Sequence, residues 1–288
     1  MFLVSGPELV IAACKAGVIG SFPAMNCRTG EEFADWMALV DGATGPDTAP
    51  YAVNFGLARM HGDRMAADLE TCRRYKPEII ITAVGNPAPV VDDIHAWGGL
   101  VLHDVTTIQH ARKAVDAGVD GLVLVCAGAG GHGGPVSPLA LVEQVRAFFD
   151  GIIVVAGAIS TGRAVRAVEV LGADLAYLGT RFIATTEAMA EDAYKEMLLG
   201  EETRDIVYTN AISGVPANFM RSSLTAVGLD PDNLPAPDGP FRPNLPENLT
   251  AWKSIWSAGQ GVGLIHDIPD TADLVERLAA EYREAGKS

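Results

Sequence analysis

The chain has little of what marks a secreted, membrane-bound or nucleic-acid-binding protein. Only four of its 288 residues are cysteine, and no two form a CxxC pair, which disfavours a disulfide framework or a zinc site. Lys and Arg number 21 against 36 Asp and Glu, giving a net charge of −15 that disfavours nucleic acids and anionic membranes as partners. No apolar run is long enough to span a bilayer, and no signal peptide is recognisable. We therefore expect a cytoplasmic protein.

The chain does contain a regular alternation of short apolar runs and amphipathic stretches. Hydrophobic residues make up 49% of the sequence, enough for a sizeable core. Strands that are nearly continuous in Val, Ile and Leu, with helices between them, are typical of a parallel sheet covered on both faces. The predicted strands are 18–22, 51–55, 78–83, 100–105, 121–126, 152–157 and 175–179.

These runs favour an α/β protein with a (β/α)8, or TIM, barrel, which needs eight strands. The missing strand should come first. Residues 1–9 are interpreted as the end of a strand, a loop and a helix that begins near Pro7, because proline suits the first helical turn. We therefore expect the first strand to be truncated at the N-terminus, either by a misassigned start or naturally. A seven-stranded open sheet is the alternative.

The pattern changes after the last predicted strand. A helical stretch, short mixed elements and a segment rich in Pro, Asn and Asp occupy the region up to about residue 258. We predict a barrel formed by residues 1–189 and 259–288, with a small, mostly helical cap or substrate domain at 190–258.

A glycine-rich segment, Ala127–Gly134, reads AGAGGHGG directly after the apolar run 121–126. Glycine lets a backbone approach a ligand where a Cβ would collide. His132 is the only side chain in the segment that exchanges protons near neutral pH. The segment is typical of a ligand cradle that carries a base.

Other features also follow predicted strands, where barrel enzymes bind their ligands. Asn54 ends one strand, Gly157 and Ala158 follow another, and Leu178, Gly179 and Thr180 follow the last. The last two loops correspond to the usual phosphate pocket of such barrels, formed by backbone amides. FMN fits this arrangement, since it combines one phosphate with a ring that needs close backbone approach.

Each feature also has a purely structural interpretation. Gly157 and Gly179 could serve tight turns, His132 could cap backbone, and Asn54 could form an Asx turn. A dinucleotide-binding GxGxxG loop is not matched. His103 is interpreted as structural, and no role is assigned to the remaining histidines, which are His61, His95, His110 and His266.

Taken in order, these motifs resemble those of the nitronate monooxygenases, formerly called 2-nitropropane dioxygenases, and the resemblance covers almost the whole chain. Gly130, Gly131 and His132, with Gly134, are similar to a GGHxG motif in which the histidine is the proposed base. The segment 178–182, LGTRF, is similar to an MGTRF motif, and 156–159 is similar to a GGI phosphate loop.

The resemblance also assigns flavin contacts to residues outside those loops. Asn54, in AVNF, is similar to a strand-end asparagine that contacts the flavin. Met1 stands at the methionine of an Ala-Pro-Met flavin contact, which agrees with a truncated first strand. Gln260 lies in the segment 255–261, which is similar to one that folds back to the flavin.

Several positions depart from the family pattern. Asp104 follows His103 where many members have lysine, and Val125 stands where many have glutamine. Ala158 replaces the second glycine of the GGI loop, and Ala127-Gly128 occupies a region that often holds a glutamate. These departures concern the substrate more than the flavin fold.

The resemblance implies an FMN-dependent monooxygenase that uses O2 to oxidise alkyl nitronates to a carbonyl compound and nitrite. His132 would act as base on a nitroalkane or orient the nitronate. A small-molecule substrate, no metal and a homodimer are expected. The alternatives are an NAD(P)H-dependent flavin reductase acting on quinones or enoyl thioesters, a flavin-binding protein without turnover, and a barrel for another phosphate ligand.

Overall fold

A computed structural model describes residues 1–57 and 62–287, so His61 lies outside it. The strands of these residues are β1 (Gly20–Pro23), β2 (Tyr51–Gly56), β3 (Ile79–Ala83), β4 (Leu100–Val105), β5 (Gly121–Val125), β6 (Gly131–His132), β7 (Ile152–Ala156), β8 (Leu175–Tyr177), β9 (Ile206–Thr209) and β10 (Ala217–Met220). Seven of them form one curled parallel sheet in the order β1-β2-β3-β4-β5-β7-β8. A second sheet is antiparallel, in the order β6-β10-β9.

Helices follow the strands and cover the outside of the parallel sheet. Several begin at a threonine whose hydroxyl accepts a hydrogen bond from a backbone N–H one turn on, as Thr107 does from His110 and Thr161 from Ala164. The helices are α1 (Pro7–Lys15), α2 (Gly30–Ala43), α3 (Asp63–Tyr75), α4 (Ala88–Ala96), α5 (Ile108–Asp116), α6 (Pro138–Arg146), α7 (Gly162–Leu171), α8 (Thr180–Ile183), α9 (Asp192–Gly200), α10 (Arg221–Ala226) and α11 (Thr271–Ala285).

Alternation along the strands separates two layers of core. In β4, Val101 and Val105 pack in the large cluster between the sheet and its helices. Leu102 points to the other face and joins an inner cluster that includes Ile81 and Val123. The inner face of the curled sheet therefore carries its own layer of apolar side chains, as in a barrel.

Strands β1 and β8 share no backbone ladder within the described residues, so the sheet is not closed by backbone hydrogen bonds. Strands β1 and β8 flank an apolar cavity of about 680 Å³, which α1, α7 and α11 also line. The Ser21 Oγ and Tyr177 OH atoms are 2.8 Å apart and bridge the two strands. Residues 1–6, predicted to contain the end of a strand and a loop, form a turn instead, in which Ser5 N donates to Met1 O over 3.1 Å.

The α/β barrel class is confirmed, with seven strands of the parallel sheet observed. The segment 190–258 differs from its expected helical character. It contributes two short α-helices, α9 and α10, and a 3-10 turn at Thr203–Asp205, but also β9 and β10, and much of the remainder is irregular. Strand β10 pairs with β6, so this segment is joined by a sheet to the glycine-rich loop. No described helix is long and apolar enough to cross a membrane.

Candidate active site

A cavity of about 320 Å³ lies at the carboxyl ends of the parallel strands, within the usual size range of ligand sites. Its floor consists of the last inward-facing side chains of successive strands, because residues two apart share a face of a sheet. The floor residues are Pro23, Asn54, Ala83, Asp104, Val125, Ala156 and Tyr177.

One wall of the cavity is formed by the two loops predicted to bind phosphate. Gly157, Ala158, Gly179 and Thr180 all line it. Among the loop and turn hydrogen bonds of the described residues, none is donated by the backbone N–H group of any of these four residues. A Cβ on Gly179 would meet only the Met1 side chain, at 3.5 Å, so this backbone faces open space. Uncommitted amides of this kind suit an anionic group such as a phosphate.

The two residues after β7 have a left-handed backbone. Gly157 has a φ of 135°, and Ala158 has a φ of 56°. Glycine accepts this conformation freely, whereas a residue with a Cβ is strained by it. The turn places a strained residue directly in the wall of the cavity, a position where such strain is often functional.

Glycines of the 127–134 loop pack closely against another part of the chain. A Cβ on Gly130 would lie 2.8 Å from the Gly259 nitrogen, and a Cβ on Gly128 would lie 2.9 Å from Gln260 Oε1. The Gln260 N–H donates to the Gly128 carbonyl over 2.9 Å. These glycines therefore permit close packing of the loop against residues 258–260, while Gly130 and Gly131 also line the cavity.

His132 lies in β6, where it pairs with Ala217 of β10 and lines the cavity. Its Nε2 atom is 3.2 Å from Ser213 Oγ. The Ser213 hydroxyl donates to the Val215 carbonyl over 2.9 Å, so it accepts from His132 Nε2–H. In the neutral ring this arrangement places the proton on Nε2.

Aromatic rings also fix the orientation of the imidazole. The ring of Trp252 lies edge-to-face with His132 at a centroid distance of 4.8 Å, and Phe241 does so at 6.2 Å. One hydroxyl contact and two aromatic contacts thus limit the orientations open to the imidazole.

The family model for nitronate monooxygenase matches residues 1–281. The chain belongs to the nitronate monooxygenase family. It is 30% identical, over 332 residues, to a nitronate monooxygenase from Paraburkholderia phytofirmans, covering 98% of this chain and 90% of that protein.

Solved structures agree with this assignment. Nitroalkane oxidase from Streptomyces ansochromogenes superposes with a TM-score of 0.79 at 25% identity, covering 99% of this chain and 94% of that one. FabK from Thermotoga maritima superposes with a TM-score of 0.80 at 24% identity, covering 100% and 92%, and supports the fold.

Most site residues predicted for this family member lie together. The cavity is lined by Met1, Asn54, Gly130, Gly131, His132, Gly157, Ala158, Gly179 and Thr180. Two predicted flavin contacts do not line it. The Gln260 side chain lies over Gly128 and is exposed, and Leu178 instead lines the apolar cavity between β1 and β8.

His103, predicted to be structural, faces the helices. Its Nδ1 atom is 2.8 Å from the Thr82 hydroxyl, and burial lowers its pKa to about 4. The imidazole is therefore neutral at physiological pH and does not line the cavity.

Residues 256–259 lie beside the cavity and are held there by α9 and by Thr180. Trp256 stacks on Tyr194 of α9 with ring centroids 4.9 Å apart, and the Tyr194 hydroxyl donates to the Ser257 carbonyl. The Gly259 N–H donates to Thr180 Oγ1 over 2.9 Å. These contacts fix residues 256–259 between α9 and the cavity wall that contains Thr180.

Sequence reasoning did not assign roles to several groups in the site. Asp104 is half-buried in the floor with its Oδ1 atom fully buried, and the loss of solvation raises its pKa to about 7. Burial also raises the pKa of Tyr177 to about 12 and lowers that of the buried Met1 amino group. The alternation of β4 and β8 could have indicated Asp104 and Tyr177, whereas Ser213 is brought to His132 only by long-range pairing.

Proposed function

We propose that this protein binds FMN in the cavity and oxidises alkyl nitronates to carbonyl compounds and nitrite. The observation that carries the proposal is that uncommitted backbone amides and an oriented histidine line one cavity, in a member of the nitronate monooxygenase family. The reaction balances when two nitronate anions and one O2 give two carbonyl compounds and two nitrite ions.

The residues present fit FMN. The amides of Gly157, Ala158, Gly179 and Thr180 would hold its phosphate, and the small floor side chains leave room for its ring. A buried oxygen of Asp104 without a hydrogen-bond partner marks a place for a polar group of the ligand. When bound, FMN supplies the electron transfer, and the protein supplies anchoring and orientation.

The role of His132 follows from its contacts. Ser213 fixes the position of Nε2, and the imidazole lines the cavity, where it would act as base on the carbon acid of a neutral nitroalkane. With a preformed nitronate no proton needs to be removed, and the ring orients the anion. Trp252 packs against the imidazole and shields it from water on that side.

The test uses FMN-loaded wild-type protein and the variant His132→Ala. We expect both to show bound-flavin absorbance, with turnover of neutral nitroalkane about 10²–10⁴-fold lower in the variant. Turnover of the preformed nitronate should fall less. His110→Ala, at a helical position outside the cavity, is the matched control and should behave as wild type.

Two results would count against the proposal. Undiminished nitroalkane turnover by His132→Ala would remove the histidine from the mechanism. Rapid anaerobic bleaching of the flavin by NADH, without nitronate oxidation, would instead favour the flavin reductase.

A cytoplasmic homodimer stays a prediction of the sequence. Light scattering on the purified, flavin-loaded protein would measure its mass against the 30.2 kDa of one chain.

A further inference from the structure

Asp104 is the only carboxylate on the cavity floor among the described residues. It lies two residues after Leu102 on the inner face of β4, one layer nearer the mouth of the barrel. The layer beneath it is apolar and includes Ile81 and Val123, so Asp104 stands where the apolar interior gives way to the ligand face of the barrel.

The carboxyl group of Asp104 is incompletely satisfied. Its Oδ1 atom is buried and has no hydrogen-bond partner among the described residues. A buried, unpaired carboxylate oxygen is costly, and either a proton or a ligand donor relieves that cost. Burial raises the pKa of the group to about 7, so acid and carboxylate are both populated near neutral pH.

Few titratable groups face Asp104. The Met1 amino group is the positive charge that acts on it, and this interaction opposes the effect of burial. The Tyr177 hydroxyl, from β8, is hydrogen-bonded to Ser21 and stays neutral. His132 lines the same cavity from β6. No described lysine or arginine lines the cavity.

We propose that Asp104 is a proton-holding residue of the flavin site: as the acid it donates a hydrogen bond to an acceptor atom of the bound ring, and it takes up a proton when the ring is reduced. This inference rests on the proposed FMN site. Reduction adds negative charge to the ring, which favours the neutral acid of a neighbouring carboxyl group over the carboxylate. Charged groups near the ring are a principal means by which proteins tune flavin chemistry.

The proton balance is simple. An added reductant such as dithionite delivers two electrons to the bound flavin, and the Asp104 carboxylate takes one proton from solvent. No covalent bond between heavy atoms forms or breaks. Near the pKa of Asp104, the protein should therefore take up more protons per two electrons than it would without this carboxyl group.

The test is the midpoint potential of the bound FMN, measured against pH between about pH 5 and 9. The variant Asp104→Asn keeps the size and a hydrogen-bond donor but cannot take up the proton. We expect it to bind FMN and to show a shallower dependence of potential on pH than wild type. Asp116→Asn makes the same chemical change at an exposed position of α5 and should leave the dependence unchanged.

Each outcome is decisive for a different claim. Failure of wild type to bind FMN would overturn the proposed function. Binding by wild type and Asp104→Asn with the same pH dependence would overturn the role of Asp104 and leave the proposed function intact.

A second variant covers the case in which Asp104→Asn does not fold. Asp104→Glu retains a titrating carboxyl group and should keep the extra proton uptake. Proton release or uptake by wild type can also be followed with an indicator dye during reduction. Uptake equal to that of free FMN at every pH would contradict the inference without any variant.

Discussion

His103 and Asp104 are neighbours in β4 but face opposite sides of the sheet, and burial shifts their pKa values in opposite directions. It lowers the pKa of the imidazole to about 4 and raises that of the carboxyl group to about 7. Both shifts favour the uncharged form. His103 is thereby fixed as a neutral partner of Thr82, whereas Asp104 changes charge near physiological pH, inside the cavity.

The raised pKa of Asp104 predicts how stability depends on pH in the flavin-free protein. Between the unfolded pKa near 4 and the folded pKa of about 7, the folded state binds more protons, so rising pH favours unfolding. Relative to Asp104→Asn, the free energy of unfolding of wild type should fall across this range, by at most about 1.4 kcal/mol per pH unit. Urea unfolding of both proteins at several pH values measures it. A difference that stays constant with pH would contradict the raised pKa.

At the scale of elements, β4 shows why the strands could be predicted. Buried parallel strands are almost continuous in apolar residues, and the predicted limits of β4, 100–105, agree with the structure. The two-residue β6 could not be predicted, because Gly131 and His132 have no strand preference of their own. They become a strand because β10, about 85 residues later, supplies an edge.

The candidate site also has one part that the sequence predicts and another part that it does not. Motif order places His132 and the two amide loops in one cavity, because all follow parallel strands whose carboxyl ends share an edge. Ser213 could not be found from the sequence, since its contact with His132 depends on the pairing of β6 with β10. The glycines at 128 and 130 were attributed to a ligand, yet much of their close packing is against residues 258–260.

Adjacent residues of β3 offer a test of the two core layers. Ile80 packs between the sheet and its helices, and Ile81 lines the apolar cavity of about 680 Å³. Both are buried, at 0% and 4% exposure. Truncating Ile80 leaves a new void among close-packed atoms, whereas truncating Ile81 enlarges an existing one.

Substitution of isoleucine by alanine in a core costs about 2–5 kcal/mol, depending on the void that remains. We expect Ile80→Ala to fall near the upper end and Ile81→Ala near the lower end. Denaturant unfolding followed by circular dichroism measures both, and each variant serves as the control for the other. Equal losses would show that the inner layer is as closely packed as the outer one.

At the scale of the whole molecule, α11 connects the last part of the described chain to its beginning. It packs against α7 and α1 and lines the apolar cavity beside β1 and β8. Its Glu281 carboxylate accepts a hydrogen bond from the Gly162 N–H over 2.7 Å, at the start of α7. The helix thus holds together the two sides of the sheet that backbone hydrogen bonds do not close within the described residues.

The approach of α7 to α11 depends on Gly162. A Cβ there would overlap the Leu278 carbonyl oxygen and lie 2.8 Å from the Glu281 Cβ. Gly162→Ala should therefore push α11 away and lower the free energy of unfolding by about 1–3 kcal/mol, as overpacking does elsewhere.

Gly42→Ala is the matched control, because Gly42 lies in α2 and an added Cβ would meet no other part of the described chain within 4 Å. It should raise stability by about 0.5–1 kcal/mol, since alanine is the better helix former. Urea unfolding of the two variants measures the contrast. A higher free energy of unfolding in both would mean that α11 can move away from α7 without loss of stability and does not hold the sheet together.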